Sequence, residues 1–172
     1  MADPAMHEFF PGIHVGQVGI IVPDLDEAVA AYTRRLGLTD WMGYVYGPES
    51  VRNFTYRGKP ADYAIKIALA GEHPQIELVE PPAGTPNLYA EWVETRGYGL
   101  QHLGFIVPRL SDAVENMTGQ GFEVIQQGSG YGLDGDGGFA YFDTVQHLGV
   151  LVEAIERPAR RRLPDLTWPK GG

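Results

Sequence analysis

Two acidic residues lie inside otherwise apolar strands of this 172-residue sequence, and their spacing suggests chemistry. Glu77 lies in IELVEPP (76–82) and Glu153 in VEAIERP (152–158), and the two segments align residue for residue. A carboxylate within an apolar strand costs free energy unless it is paired or binds a metal. Because the acid occurs at the same place twice, we interpret both glutamates as candidate metal ligands and candidate catalytic acid–base groups.

A second repeat places two more polar side chains. QVGIIVPDLDEAVAAYT (17–33) and HLGFIVPRLSDAVENMT (102–118) are identical at eight positions, and each begins with an apolar strand. Because side chains alternate between the faces of a strand, Gln17 and His102 are expected on the face opposite the helix. Two copies related by a pseudo-twofold axis would bring four polar groups around one point: Gln17, Glu77, His102 and Glu153.

One imidazole nitrogen and three oxygen ligands suit a divalent metal ion. We therefore expect one such ion, either Zn, Ni, Co, Mn, Fe or Mg, with coordination positions left open for water or substrate. The sequence contains no Cys. This excludes disulfides, thiolate zinc sites, iron–sulfur clusters and cysteine nucleophiles, so any metal must be held by oxygen and nitrogen.

The elements that must position these groups follow the same order in both copies. In each copy an apolar strand is followed by an amphipathic helix and then by short β-rich segments. Asp24 and Ser111 are the candidate N-caps of the two helices, and Gly37 and Gly121 are expected to end them. The predicted strands cover residues 15–22, 41–46, 51–56, 65–69 and 75–79 in the first copy, and 103–107, 123–126, 139–142 and 150–155 in the second.

The repeat predicts an α+β fold of two tandem βαβββ modules whose open faces meet in a cleft at the four polar groups. The first module is expected to cover residues 13–82 and the second residues 98–158. A linker (83–97) joins them, and a tail (159–172) follows. An isolated module would expose one face of its sheet, so the two modules are expected to pair.

The Gly-rich segment GSGYGLDGDGGFAYFD (128–143) predicts a loop at the mouth of the cleft. It lacks the lysine of a phosphate-binding loop and does not open a helix, which argues against a nucleotide site. Tyr131 and Asp134 in this loop, together with Tyr63 from the first module, are the candidate substrate-binding residues.

Two other charged features have simpler interpretations. Glu80 and Glu156 also repeat, but their positions at strand ends predict solvated side chains. The run of three arginines at 160–162 predicts a solvated tail or a dimer contact, with contact to a phosphate-bearing substrate as an alternative.

The net charge of −9 argues against a nucleic-acid partner, since nucleic-acid-binding proteins normally carry basic patches. No apolar run approaches the ~18 residues of a membrane span, and no secretory signal is present. We therefore expect a cytoplasmic protein that contacts neither nucleic acid nor membrane.

The chain resembles the vicinal oxygen chelate superfamily, which includes glyoxalase I, methylmalonyl-CoA epimerases, extradiol dioxygenases and bleomycin-resistance proteins. The resemblance covers about residues 13–157, and residues 90–107 are especially similar to the epimerase-like branch. The family ligand positions fall on Gln17, Glu77, His102 and Glu153, a set similar to that of eukaryotic glyoxalase I. The matching segments are QVGIIVPDLDEAVAAY, LGL, IELVEPP, AEWVETRGYGLQHLGFIV and LGVLVEAIE.

The resemblance implies that the two modules form one curved mixed sheet around a metal-binding cleft. It also implies a metal-dependent epimerase, isomerase or lyase acting at a carbon next to a carbonyl through a metal-stabilised enolate. Glu153 or Glu77 would move the proton. The expected partners are a small carbonyl-containing substrate and a second copy of the chain in a homodimer. Two alternatives remain open: an iron-dependent extradiol-type ring-cleavage dioxygenase, and a non-catalytic small-molecule-binding protein of the resistance type.

Overall fold

The computed structural model describes residues 7–169, which form one eleven-stranded mixed sheet and four helices. None of these helices is long and apolar enough to cross a membrane. The strands are β1 (Val15–Ile21), β2 (Met42–Tyr46), β3 (Arg52–Tyr56), β4 (Lys59–Pro60), β5 (Ile65–Ala70), β6 (Gln75–Glu80), β7 (Gly99–Ile106), β8 (Val124–Ser129), β9 (Gly138–Phe142), β10 (Leu151–Glu156) and β11 (Leu166–Thr167). The helices are α1 (Leu25–Leu36), α2 (Leu88–Arg96), α3 (Leu110–Gly119) and α4 (Val145–Leu148).

The centre of the sheet shows the pseudo-twofold relation between the modules. The strand order is β11-β2-β5-β6-β1-β7-β10-β9-β8-β3-β4. The first strands of the two modules, β1 and β7, are antiparallel neighbours. Each lies parallel to the last strand of its own module, β1 beside β6 and β7 beside β10. The four strands that carry the predicted polar residues are therefore adjacent, and the expected α+β fold with a curved mixed sheet is confirmed.

The sheet curls into a half-barrel because strands from its two ends are joined by a short connection. Strand β2 lies near one end and β3 near the other, yet only residues 47–51 separate them. A connection of this length spans at most about 20 Å, so the two ends must approach each other. The β3–β4 hairpin comes from the first module but pairs with β8 of the second. The sequence predicts a strand here but not this crossing between modules.

The helices α1 and α3 pack on the outer face of the sheet. Their N-terminal caps differ, but the first backbone N–H of each helix binds a carboxylate from the last strand of its module. Asp24 caps α1 as predicted, because its Oδ1 accepts from the Glu27 backbone N–H at 2.8 Å. The prediction for Ser111 is wrong, since it lies within α3, whose N-cap Arg109 forms no side-chain cap bond. A helix N-terminus favours a carboxylate, and α3 obtains one from outside the helix.

The repeated acids Glu80 and Glu156 are those carboxylates, so they are not merely solvated side chains. Glu80 Oε2 accepts from the Leu25 backbone N–H at 2.9 Å, and Glu156 Oε2 accepts from the Leu110 backbone N–H at 2.7 Å. Each acid fastens the last strand of a module to the start of that module's helix. Of the two predicted C-terminal glycines, Gly37 is the C-cap of α1 in the left-handed conformation, whereas the C-cap of α3 is Gln120, one residue before Gly121.

The linker between the modules contains a helix that the sequence analysis describes only as a connection. Asn87 caps α2 by accepting from the backbone N–H groups of Tyr89 and Ala90. Leu88, Tyr89 and Trp92 are buried in the core of the half-barrel. The linker therefore contributes a wall of the cleft.

The tail does not lie free in solvent over its described part. Strand β11 pairs antiparallel with β2, and the Asp165 carboxylate accepts from the Val45 backbone N–H at 2.8 Å. Trp168 donates to Asp26 at 2.8 Å, while the Leu133 backbone N–H donates to Arg160 O at 2.9 Å. The tail thus runs from the Gly-rich loop of the second module to the edge of the first.

Candidate metal centre

The four polar residues that the repeat singles out come together at the centre of the sheet. Gln17 lies on β1, Glu77 on β6, His102 on β7 and Glu153 on β10, and all four are buried. Glu77, His102 and Glu153 offer ligand atoms within 4.8 Å of one another, a group that can hold a metal ion. This proximity is what the aligned repeats predict.

The distances within the group are compatible with shared coordination of one cation. His102 Nε2 lies 3.0 Å from Glu77 Oε2 and 3.2 Å from Glu153 Oε2. These atoms nevertheless make no hydrogen bond of acceptable geometry, and neither does Gln17 Oε1. Neighbouring ligands of a metal with bonds of about 2.1 Å in octahedral geometry are about 3.0 Å apart. Buried polar atoms without partners are rare, so the three from Glu77, His102 and Glu153 fit a metal ion as their common partner, and Gln17 Oε1 from the adjacent strand is a candidate fourth.

The orientation of His102 is fixed by its neighbour Gln101. A β-bulge in β7 leaves Gln101 without a partner on β1, because Gly19 pairs with His102 and Ile20 pairs with Leu100. The extra residue allows Gln101 to turn toward His102, and its Oε1 lies 3.0 Å from His102 Nδ1. Since Oε1 is an acceptor, Nδ1 carries a hydrogen, and Nε2 is the nitrogen that faces the two glutamates.

The amide of Gln17 is oriented in the same way. Its Nε2 donates to Gln75 Oε1 at 3.2 Å, and the two residues are register partners on β1 and β6. This bond leaves Gln17 Oε1 buried and unpaired on the side of the carboxylates. The oxygen of Gln17 is thereby left available, which fits its expected role as a candidate ligand.

The glycines of the repeat give these side chains room. A Cβ on Gly19 would lie 1.9 Å from His102 Cε1, and a Cβ on Gly104 would lie 2.9 Å from Gln17 Cβ. Real Cβ atoms do not tolerate the first distance. Gly19 therefore admits the imidazole ring, and Gly104 occupies the equivalent position beside Gln17.

In the absence of a metal, burial and neighbouring charges shift the pKa values of His102 and Glu153. Burial lowers the pKa of His102, but the adjacent carboxylates of Glu153 and Glu77 outweigh it and raise the pKa to about 9. Burial also raises the pKa of Glu153 above its usual value, against the opposing effect of His102. Without a metal, the group therefore holds an additional proton at neutral pH, which a divalent cation would displace.

A chain of buried hydrogen bonds leads to Glu153. Tyr63 donates to Gln126 Oε1 at 2.5 Å, and Gln126 Nε2 donates to the Tyr89 oxygen at 3.0 Å. Tyr89 donates to the Tyr141 oxygen at 3.2 Å, and a hydrogen bond between Tyr141 and Glu153 lowers the pKa of that carboxyl. An amide has separate donor and acceptor ends, so Gln126 sets the direction of the chain. The Tyr141 hydrogen is thus left for Glu153.

A cleft with an empty volume of about 510 Å³, its open mouth included, lies over the candidate metal ligands. Gln17, Glu77 and Glu153 line its floor, and Arg161 of the tail lines it as well. A polar floor beneath apolar walls is typical of small-molecule sites. The walls are aliphatic and aromatic: Tyr46, Ile65, Ile67, Leu69, Tyr89, Tyr131, Phe139, Tyr141 and Ile155.

The three candidate substrate-binding residues are placed differently. Tyr131 lines the cleft. The hydroxyl of Tyr63 is bonded to Gln126, and its ring faces a separate surface pocket. Asp134 lies outside the cleft and forms an ion pair with Arg160. Only Tyr131 is therefore in position to contact a molecule in the cleft.

Sequence reasoning did not single out several residues around the ligands. Gln101 reaches His102 only through the bulge, and Arg161 reaches the cleft only because the tail pairs with β2. Gln75 had a usable signal, because it lies two residues before Glu77 and therefore on the same face of β6. Tyr141 is the register partner of Glu153, which a strand alignment of β9 with β10 would have revealed.

The fold and the site together define a class of protein: an α+β half-barrel of paired modules with a buried candidate metal centre at their junction. The family model for the Glyoxalase/Bleomycin resistance protein/Dioxygenase superfamily matches residues 16–142, and the chain belongs to this superfamily. The resemblance to the vicinal oxygen chelate superfamily is thereby confirmed. No curated protein matches the sequence.

Several solved structures share the fold at low sequence identity. Methylmalonyl-CoA epimerase from Mycobacterium tuberculosis superposes with a TM-score of 0.59 and 23% identity, over 92% of this chain and 93% of that one. A variant of the Streptomyces coelicolor enzyme bound to 2-nitronate-propionyl-CoA gives 0.61 and 18%, over 87% and 97%. A hypothetical protein from Bacillus halodurans gives 0.59 and 21%, over 88% and 99%. At these identities the likeness shows the fold alone.

Proposed function

We propose that the protein is a divalent-metal-dependent epimerase, isomerase or lyase that acts at a carbon next to a carbonyl group. The observation that carries the proposal is a set of four buried atoms that lack hydrogen-bond partners, three of them from residues that can share one metal ion. They combine one imidazole with oxygen donors, which suits Zn, Ni, Co, Mn, Fe or Mg. The four atoms are Gln17 Oε1, Glu77 Oε2, His102 Nε2 and Glu153 Oε2.

A bound divalent cation supplies polarisation of the substrate carbonyl, which acidifies the hydrogen on the adjacent carbon. The chain itself must then move that proton. Glu77 and Glu153 are the carboxylates that face the cleft, and they come from different modules. One carboxylate can take the proton from one face of the carbon while the other returns a proton to the opposite face, which is what epimerisation requires.

The two carboxylates differ in their surroundings, and the difference suggests how they share the work. Glu153 is held by the hydrogen bond from Tyr141. Within residues 7–169 Glu77 lies beside His102, 3.0 Å from its Nε2, but no tyrosine hydroxyl bonds to it. A carboxylate without such a restraint is the better candidate to leave its ligand position and reach the substrate. We therefore assign the first proton removal to Glu77 and the holding role to Glu153.

The proposal is tested by metal analysis and by hydrogen exchange. The purified protein should contain about one divalent metal ion per chain, by elemental analysis. In D2O, NMR should show exchange of the α-hydrogen in at least one member of a panel of 2-oxo acids, 1,3-dicarbonyls and thioesters. Chelator should remove both metal and exchange, and metal should restore exchange.

Glu77→Gln should abolish exchange more completely than Glu153→Gln, while Glu49→Gln at an exposed position should change nothing. Full exchange in chelator-treated, metal-free protein would contradict the proposal.

Other functions of the superfamily receive less support from this centre. Non-haem iron oxygenases typically use two histidines and one carboxylate, whereas this group contains one imidazole. Oxygen consumption with catechols and Fe(II) would favour that alternative nevertheless. A non-catalytic binding protein has no need of two buried carboxylates at its cleft floor. Metal-free protein that binds aromatic compounds without any hydrogen exchange would favour it.

We further propose that the protein is a cytoplasmic homodimer. Each chain would consist of two modules with the boundaries that the repeat predicts. The resemblance to the superfamily supports the dimer. Light scattering on the full chain would report its mass in solution, and a monomeric mass would contradict the dimer.

A further inference from the structure

Three consecutive arginines in the tail have three different environments. Arg160 forms an ion pair with Asp134, and Arg162 Nη2 lies 3.6 Å from Asp165 Oδ2. Arg161, between them, lines the cleft. Within residues 7–169 it forms no ion pair and no hydrogen bond through its side chain. A guanidinium that faces a cleft without an acidic partner is available to a ligand.

The position of Arg161 is fixed by its neighbours in the tail. The Ala159 backbone N–H donates to Asp136 Oδ2 at 2.7 Å, and Arg160 O accepts from the Leu133 backbone N–H. On the other side, the Asp165 backbone N–H donates to Gly43 O at 2.9 Å. Arg161 thus lies between two anchored segments, on a strap across the mouth of the cleft.

Aromatic side chains complete this end of the cleft. The guanidinium carbon of Arg161 lies 5.8 Å from the centre of the Tyr44 ring, which holds the cation over an aromatic face. Tyr46 and Tyr131 line the cleft together with Arg161, and the charge of Arg161 partly opposes the rise that burial causes in the pKa of both phenols. Tyr131 donates to Glu156 O, whereas Tyr46 has no hydrogen-bond partner in the described part of the chain. A cation and a free hydroxyl therefore face the same space.

The charges of the cleft add up to a preference for an anion. A divalent metal ion would be neutralised by the carboxylates of Glu77 and Glu153, with a neutral His102. Arg161 then leaves the cleft with one net positive charge. The planar guanidinium matches carboxylate and phosphate oxygens in a bidentate geometry.

We propose that Arg161, assisted by the Tyr46 hydroxyl, binds an oxyanion of the substrate in the same cleft that the candidate metal ligands line. The substrate is then a carbonyl compound that carries a carboxylate or a phosphate in addition to the group that meets the metal. This inference rests on the proposed function for the carbonyl. The anion site itself depends only on the strap.

The test uses pairs of probes that differ only in charge. Succinic monohydroxamic acid and its methyl ester share a metal-chelating hydroxamate, and only the acid carries a free carboxylate. A phosphonate analogue of the same length tests a phosphate. Binding to the metal-loaded full chain is measured by calorimetry. A charge-assisted bidentate contact predicts that the acid or the phosphonate binds at least about tenfold more tightly than the ester.

Two variants separate Arg161 from the general charge of the tail. In Arg161→Gln the preference for the anion should fall below about twofold, while the affinity for the ester stays unchanged. Arg160→Gln, which alters an exposed ion pair, should retain the full preference. Equal binding of anion and ester by the unmodified protein would overturn the inference, and so would an equal loss in both variants.

Failure of the proposed function can be distinguished from failure of the anion site by metal analysis and by binding of succinate alone. If the chain holds no metal, the hydroxamates lose their anchor, and that proposal fails by elemental analysis. Succinate alone is then titrated against the unmodified protein and Arg161→Gln. Weaker binding by the variant supports the anion site independently, and identical binding overturns it.

Discussion

The imidazole ring of His102 fills the space that a side chain on Gly19 would occupy, with 1.9 Å between His102 Cε1 and the position of a Cβ on Gly19. The two residues are register partners on the central strands β1 and β7. Because the ring of His102 needs the space beside Gly19, the geometry of the candidate metal centre depends on a residue that is not itself a ligand.

Gly19→Ala is therefore expected to displace the ring of His102 and to weaken metal binding by about 100-fold or more. Metal affinity is measured by competition with a chromogenic chelator, and circular dichroism monitors the fold. Gly119→Ala is the matched control, because a Cβ there meets nothing within 4 Å. Unchanged affinity in Gly19→Ala would mean that His102 is not a ligand.

Gln101→Leu is expected to lower metal affinity by about 10- to 100-fold without removing a ligand. The bond from His102 Nδ1 to Gln101 Oε1 would be lost, and the ring would no longer be held with Nε2 toward the carboxylates. The same chelator competition measures the loss. Gln146→Leu, on the exposed surface, serves as the control, and equal affinities in the two variants would contradict the role of Gln101.

The pH dependence of metal binding follows from the raised pKa of His102. In the metal-free protein this pKa is about 9, so at pH 7 the imidazole is protonated and a metal ion must displace the proton. The apparent affinity should therefore rise about tenfold per pH unit between about pH 7 and 9, and then level off. Chelator competition at a series of pH values would show the slope. A flat profile over this range would contradict it.

The same shift predicts how the metal-free protein responds to pH. The folded-state pKa lies above the ordinary value of 6.5, so the stabilisation is complete below about pH 6.5 and is lost as the pH rises toward 9. The melting temperature of the metal-free protein should fall over that interval. His102→Asn should remove this pH dependence, and a variant that keeps it would assign the effect to another group.

Gln126→Leu is expected to destabilise the protein by about 2 kcal/mol, because the buried hydroxyl of Tyr63 loses its acceptor and that of Tyr89 loses its donor. Chemical denaturation measures the free energy of unfolding. Gln127→Leu is the control on the same strand, because the Gln127 side chain makes no hydrogen bond within residues 7–169. A loss of equal size in both variants would show that the hydrogen-bond chain is not the cause.

The sequence predicted the residues that depend on local pattern and internal repetition. The aligned repeats and the alternation of side chains along a strand predict that four polar residues lie near one another. The structure places all four, buried, on adjacent strands: Gln17, Glu77, His102 and Glu153. Asp24 was found as a cap because capping involves only neighbouring residues.

The features that were missed depend on pairing between distant segments. Gln101 reaches His102 through a bulge, which is defined only when β7 is paired with β1. Arg161 lies in the cleft because β11 pairs with β2, more than a hundred residues earlier in the chain. Ser111 resembled a cap, but Glu156 from another strand binds the start of α3 instead. Contacts between segments that are distant in the sequence leave no periodic pattern within either segment, so the sequence alone does not predict them.

The crossing of the β3–β4 hairpin onto β8 has a consequence for how the chain can be divided. A fragment that stops in the linker would make the hairpin but lack the strand that it pairs with. The second fragment would present β8 as an open edge prone to association. Although its sequence repeats, the chain is therefore expected to fold as one cooperative unit. The strand near position 55 is paired only when the strand near position 127 has been made and folded.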